Sequence, residues 1–294
     1  MSRVSVPDDE RGMILVNVLL FVAIASGMVM LMINREELAL DRALRTREAA
    51  RALSVVRGGE TSAIVALRRD ARQAGDVDHR GEAWAALSEN GAPIEGGTFD
   101  LVIADAQGRF NINNVMSPRT ADKVMFRNIA RAAGLTDDQI LAAAALVKQY
   151  GPVTDLQPLR MAGIDPAVAD KLERLVTALP GHSEINLNAA TPEMLGVLFH
   201  DPIVVDRMVS LRTNRGFLTK KDIADLDQAV PPGTGFRSST FWVRVRATIG
   251  ETTQQEASLI QRAKTPDGDI RVAAVERWRN ASVPPEAPLF APPS

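Results

Sequence analysis

The chain has 294 residues, 46% of them hydrophobic, with a formal charge of -2 and no cysteine. That length can bury a sizeable core in one large or two small domains. Without cysteine there is neither a disulfide framework nor a thiolate zinc site, and the near-neutral balance gives no basic footprint for a polyanion.

From Met13 to Ile33 no residue is charged. As a helix these positions span roughly 30 Å, the thickness of a hydrocarbon core. A cleaved secretory signal would have a basic start, a shorter apolar core and a small-residue cut site. Here the leading flank is Asp8, Asp9, Glu10, Arg11, and "NREELALDRALRTREAAR" follows with no turn residue. A charged leader ending in Gly12 before an apolar helix starting at Met13 resembles the prepilin class III signal of type IV pilins and type II secretion pseudopilins. The resemblance implies that a membrane prepilin peptidase cuts between Gly12 and Met13, with methylation, and leaves the helix attached. The stretch is then first a signal and afterwards a span.

By the same resemblance, the fifth mature position of filament-forming members is a Glu that pairs with a neighbour's N-terminal amine; here Asn17 stands there. A subunit without that charge has less need of a neighbour above it, which suits a tip position; alternatively Asn17 bonds this helix to another span. Arg3 and Arg11 precede the span, whereas Arg35, Arg42, Arg45, Arg47 and Arg51 follow it. The positive-inside count therefore puts the C-terminal side in the cytoplasm, while the resemblance implies a periplasmic body.

Between Met28 and Arg57 there is no Gly or Pro, which predicts one amphipathic helix continuing the span and stopping at Gly58 and Gly59. A second helical piece, "ETSAIVALRRDARQA", and a polar loop through Gly97 follow. Phe99, Leu101 and Ile103 alternate before "DAQG", and Phe110 and Ile112 alternate after it, which predicts a β-hairpin. Helical patterning then runs to about Leu226, with start signals at Ser117, Thr136 and Thr191. "TFWVRVRATIG", "EASLIQRAK" and "DIRVAAVERW" predict a three-stranded antiparallel meander, and "SVPPEAPLFAPPS" a disordered tail.

Within the helical block, "EINLNAATPEMLGVLFHDPIVVDRMVSLRTNRGFLTKKDIADL" resembles the helix-hairpin-helix family of DNA-binding modules. "RNIARAAGLTDDQILAAAALVKQYGPVTDLQPL" carries a fainter version of that layout. Phosphate binding by such a hairpin needs Gly-rich backbone N–H groups, but "FHDP" puts Asp201 and Pro202 there. Lys220 and Lys221 fit a solvated helix start. The block therefore reads as an interaction or packing module, with no nucleic acid expected.

Taken together, "RG" before "MILVNVLLF", "GRFNINN", "LQPLRMAGI" and "ALPGHSEINLNAAT" resemble the general secretion pathway protein K family, minor pseudopilins of type II secretion. The resemblance implies an α+β fold: a pilin-like long N-terminal helix packed on an antiparallel sheet, with an inserted all-α helix-hairpin-helix-like domain. It divides the chain into a leader (1–12), the helix (13–57), the first pilin-like part (58–117), the insert (118–230), sheet completion (231–280) and the tail (281–294). It implies no enzymatic activity and a place at the pseudopilus tip, in the inner membrane. The implied partners are other minor pseudopilins, the pseudopilus, the prepilin peptidase and the inner-membrane secretion platform. Family members are known with calcium, but only Asp155 stands in the corresponding region, and calcium wants six to eight oxygens. No metal site or cofactor is expected. His79, His182 and His200 are scattered, and no phosphate loop, zincin helix or serine elbow occurs. The competing reading is a membrane-tethered DNA-binding protein of a competence type.

Overall fold

The computed structural model describes residues 8–73, 75–161 and 163–291. Residues 1–7 of the expected leader lie outside these. Helix α1, Asp8–Gln73, is 66 residues long. It does not stop at Gly58 and Gly59 as the pattern predicts. Ala52, Val56, Gly59, Ala63 and Leu67 recur every three or four residues and form its buried stripe. A Cβ on Gly59 would stand 2.8 Å from Val245 Cγ1 and 3.0 Å from the Phe99 ring. Gly59 therefore lets helix and sheet approach closely at this point. Two mid-helix glycines cost about 1 kcal/mol each in propensity, which this burial offsets.

Strands β1, Glu89–Ile94, and β2, Gly97–Asp105, form a hairpin with Gly96 in the left-handed region of its turn. The hairpin thus lies one strand earlier than the alternation predicts. After "DAQG", Phe110–Asn111 (β3) pairs instead in parallel with Val176–Thr177 (β4), and Ile112–Met116 turns as a 3-10 helix. The reason is that Asn111 accepts the amide of Asn113 through its side chain and bends the chain away from the sheet. Helices α2 (Thr120–Ala133), α3 (Asp137–Tyr150), α4 (Gln157–Arg160) and α5 (Pro166–Leu175) follow. Then come β5 (Ile185–Asn186), α6 (Pro192–Phe199), α7 (Pro202–Arg215), α8 (Lys220–Asp225) and β6 (Thr234–Gly235), which pairs in parallel with β5.

The predicted meander forms as β7 (Thr240–Ile249), β8 (Thr252–Lys264) and β9 (Ile270–Arg279). The order of the five-stranded antiparallel sheet is β1-β2-β7-β8-β9. Alternation sends Phe241, Val243, Val245, Ala247 and Ile249 toward α1, together with Leu101 and Ile103, as one core. The block between β2 and β7 has its own core, with Phe110, Ile112, Phe126, Leu172, Met194 and Met208 in it. Phe110, Ile112 and Val115 belong to that core, so the insert begins before residue 118 and extends to the start of β7.

The described part of the tail, residues 281–291, packs on the sheet where the sequence pattern predicts disorder, and residues 292–294 lie outside the described residues. Ala287 is buried against Trp242 and Leu259 on the sheet face away from α1, and Arg244 donates to the Pro288 carbonyl. The Phe290 ring lies 4.7 and 4.4 Å from the Arg244 and Arg246 guanidiniums. Prolines 284, 285 and 288 lower the entropy cost of fixing this strap.

The contrast between adjacent glycines is testable by thermal denaturation of the full chain in detergent. Gly59→Leu should cost about 1–3 kcal/mol by overpacking. Gly58→Ala should gain up to about 1 kcal/mol, because nothing lies within 4 Å of its Cβ position.

Candidate functional site

The first candidate surface is α1 itself. From Leu15 to Arg47 every side chain is exposed, Asn17 among them, and Phe21 is 72% exposed. Apolar side chains left uncovered along several turns need a nonaqueous or protein environment. Gly12 and Met13 both lie within the helix. Cover by the body begins at Glu48, whose carboxylate accepts the Thr252 hydroxyl at 2.9 Å beside the β7–β8 turn. Higher up, Glu60 accepts from Arg277 and Asp70 from Arg262. These contacts fix the rotation of the helix against the sheet.

The second is the neck, where the chain leaves β2 for the insert and returns into β7. Ala106 N donates to Thr240 O, closing the two strands at this point. Gln107 Oε1 accepts from Ser239 N, Ser239 Oγ and Thr240 N, while Gln107 Nε2 donates to Glu184 O. Asn186 Nδ2 donates to Asp78 O, Asp105 Oδ2 and Ser238 Oγ. Asp105 also accepts from Ser238 Oγ at 2.6 Å and from Gln107 N at 2.7 Å. Burial nevertheless pushes its carboxyl up to about 6, against these hydrogen bonds and with help from the charge of Asp78. Burial likewise raises Asp70, whose partner Arg262 opposes the shift.

Two Asn-X-Asn turns carry the insert. Asn111 accepts Asn113 N, and Asn186 accepts Asn188 N. The second asparagine of each clamps one distant residue by both backbone groups: Asn113 holds Val153, and Asn188 holds Leu218. In each copy two helices intervene, and the clamped residue lies just past the second, at α3 and at α7. The faint sequence repeat is thus a structural one.

At the helix-hairpin-helix-like turn, His200 is in the left-handed region and Asp201 accepts the amides of Ile203 and Val204. The carboxylate of Asp201 therefore occupies the amides that would face a phosphate. Lys220 is exposed and Lys221 pairs with Asp225. Arg215, hydrogen-bonded to Asp222, holds that carboxyl well below the ordinary range and ties α7 to α8.

The histidines do not converge: His79 stacks on Phe217 and His182 contacts Asp122 at 3.1 Å, apart from His200. Among the described residues one carboxylate trio, Asp70, Asp78 and Glu82, is close enough to hold a metal. Arg262 already supplies its cation, bonding both aspartates, and Glu82 accepts from His79 N and Trp84 Nε1. Among the described residues Asp155 accepts the Gln157 amide at the start of α4. Sequence reasoning missed the neck; its signals were the paired asparagines of "NIN" and "NLN".

No family model matches the chain. It is 29% identical to the type II secretion system protein K of Pseudomonas aeruginosa over 308 aligned residues, covering 90% of this chain and 92% of that protein. The identically named protein of Klebsiella pneumoniae is 24% identical, with 86% and 93% covered. The fold is similar to that of a chain in the crystal structure of the GspK-GspI-GspJ complex from the enterotoxigenic Escherichia coli type 2 secretion system. There the TM-score is 0.60 at 19% identity, covering 82% of this chain and all of that one.

Asp105 makes the neck pH-dependent. Its raised value means that the native state holds the proton more tightly than the unfolded chain does. The stability contribution is present below the ordinary value of 3.8 and is lost as pH rises through about 6. A shift of this size is worth about 3 kcal/mol. Asp105→Asn should gain melting temperature relative to wild type between about pH 4 and pH 7. An unchanged difference across that range counts against an ionised, strained Asp105.

Proposed function

This chain belongs to the general secretion pathway protein K family, the minor pseudopilins of type II secretion, and from that membership we propose that it is the structural subunit at the pseudopilus tip. It supports protein secretion across the outer membrane through protein–protein contacts. One observation carries the reading: a helix exposed on every side from Leu15 to Arg47 leads into a body that follows its Pseudomonas aeruginosa relative over 92% of that protein's length.

On this reading, Met13–Ile33 is a single span in the bacterial inner membrane, with the C-terminal body in the periplasm. The solved relative stands in a complex with GspI and GspJ, and the corresponding minor pseudopilins are the partners of this chain. The prepilin peptidase removes residues 1–12, for which Gly12 is required because a side chain there would obstruct the cut. Asn17 carries no charge into the bilayer and so imposes no demand for a neighbour's amine, consistent with a subunit that has none above it.

Intact mass and N-terminal sequencing of the membrane-extracted protein should give a chain starting at Met13, and Gly12→Leu should leave uncut precursor. A mature chain starting beyond Ile33 would refute the pseudopilin assignment. Co-expressed with the two companion pseudopilins, the full chain should co-purify with both. Asn17→Glu should preserve those contacts while changing detergent extraction or assembly. Failure of wild type to retain either companion rejects the partner assignment, and unchanged extraction and assembly of Asn17→Glu removes Asn17 from the tip argument.

A further inference from the structure

Beneath the C-terminal strap, between the insert and the outer sheet face, lies a cavity of about 200 Å³ lined by Arg80, Asp105, Arg109, Trp242 and Glu286, among others. Its charged groups are unequally satisfied. Asp105 has its oxygens engaged by Ser238, Asn186 and the Gln107 amide. Arg109 is desolvated, which lowers its pKa against the opposing charge of Glu286. Yet among the described residues no hydrogen bond or ion pair joins Arg109 to Glu286 or to any other acceptor. On the strap, one carboxylate oxygen of Glu286 is buried without a donor. A half-buried cation and a carboxylate thus border one small cavity without pairing, an arrangement that costs desolvation on both sides unless a third group links them.

We infer that this cavity binds an α-carboxylate with an adjacent N–H, the chemistry shared by a free amino acid and the C-terminal residue of a polypeptide. Arg109 takes the carboxylate, Arg80 adds positive charge at the same wall, and Glu286 accepts the N–H. Ala104, Ala106, Ala189 and the Trp242 ring leave an apolar wall for one aliphatic side chain. Phosphate fits less well, because it lacks the N–H and would place its charge against Asp105 and Glu286. This inference does not depend on the tip assignment.

The test is calorimetric titration of the full chain in detergent with N-acetyl-leucine, N-acetyl-leucinamide, 4-methylpentanoate and inorganic phosphate. N-acetyl-leucine should bind, and loss of the carboxylate in the amide should weaken binding by about 10- to 100-fold, as expected for a charged hydrogen bond. Arg109→Gln should produce the same loss with an unchanged melting temperature. Glu286→Gln should weaken N-acetyl-leucine but leave 4-methylpentanoate, which has no N–H, unaffected; this arm decides the matter if the Arg109 variant misfolds. Leucine against acetyl-Ala-Ala-Leu separates the two sources: tighter binding of the first assigns a free amino acid, of the second a chain end. The inference is overturned if no carboxylate binds at millimolar concentration, if acid and amide bind equally, if phosphate binds best, or if Glu286→Gln weakens both acids alike.

Discussion

An insert that leaves a sheet between two neighbouring antiparallel strands must satisfy its backbone where the ladder ends, and the fold depends on how that is done. β2 and β7 remain paired to Asp105 and Phe241. One step further, the Gln107 side chain replaces the missing ladder by taking two amides and a hydroxyl. Asn186 reaches back from the insert to the body at Asp78, Asp105 and Ser238. Each buried polar group left unpaired there would cost about 1–3 kcal/mol. A side-chain network that meets the backbone groups of Ser239 and Thr240 and ties Asn186 to the body holds two separate hydrophobic cores in one orientation.

The insert repeats the device internally. An asparagine side chain offers one acceptor and two donors, enough to hold both backbone groups of a single residue. Asn113 does this for Val153 and Asn188 for Leu218, so the chain beyond each helical pair is tied to the turn that precedes it. The helices between need supply little long-range specificity of their own. This explains how the second hairpin can carry Asp201 as a cap and still keep the layout of a phosphate-binding module.

Local period made much of the architecture legible in the sequence. The uncharged run from Met13, the alternation of Phe99, Leu101 and Ile103, and the three late strands all appear where their patterns place them. Punctuation misled where tertiary contact overrode it. Gly58 and Gly59 look like a helix stop, but Gly59 instead permits a close approach to Val245 and Phe99, a contact across most of the chain. The proline-rich end looks unstructured because its partners, Trp242, Arg244 and Arg246, lie in a distant strand. Of the candidate surfaces, the exposed helix was readable from composition. The neck was not: Asp78, Asp105, Asn186 and Ser238 are separated by tens of residues, and no local pattern joins them.

Between Ile33 and the first covered residue, Glu48, α1 crosses about 22 Å with its side chains exposed, Arg45 reaching Glu251 of the body at 3.8 Å near the end of that stretch. A single helix of that length is a strut: its ladder of backbone hydrogen bonds resists compression along the axis and yields more readily to bending. Because Gly59, Glu60 and Asp70 engage the sheet farther along the same helix, axial load at the apolar end reaches the body without passing through a joint. A displacement of one residue rise, about 1.5 Å, at the base therefore moves sheet, neck and insert together by the same amount, as a piston rod moves its head.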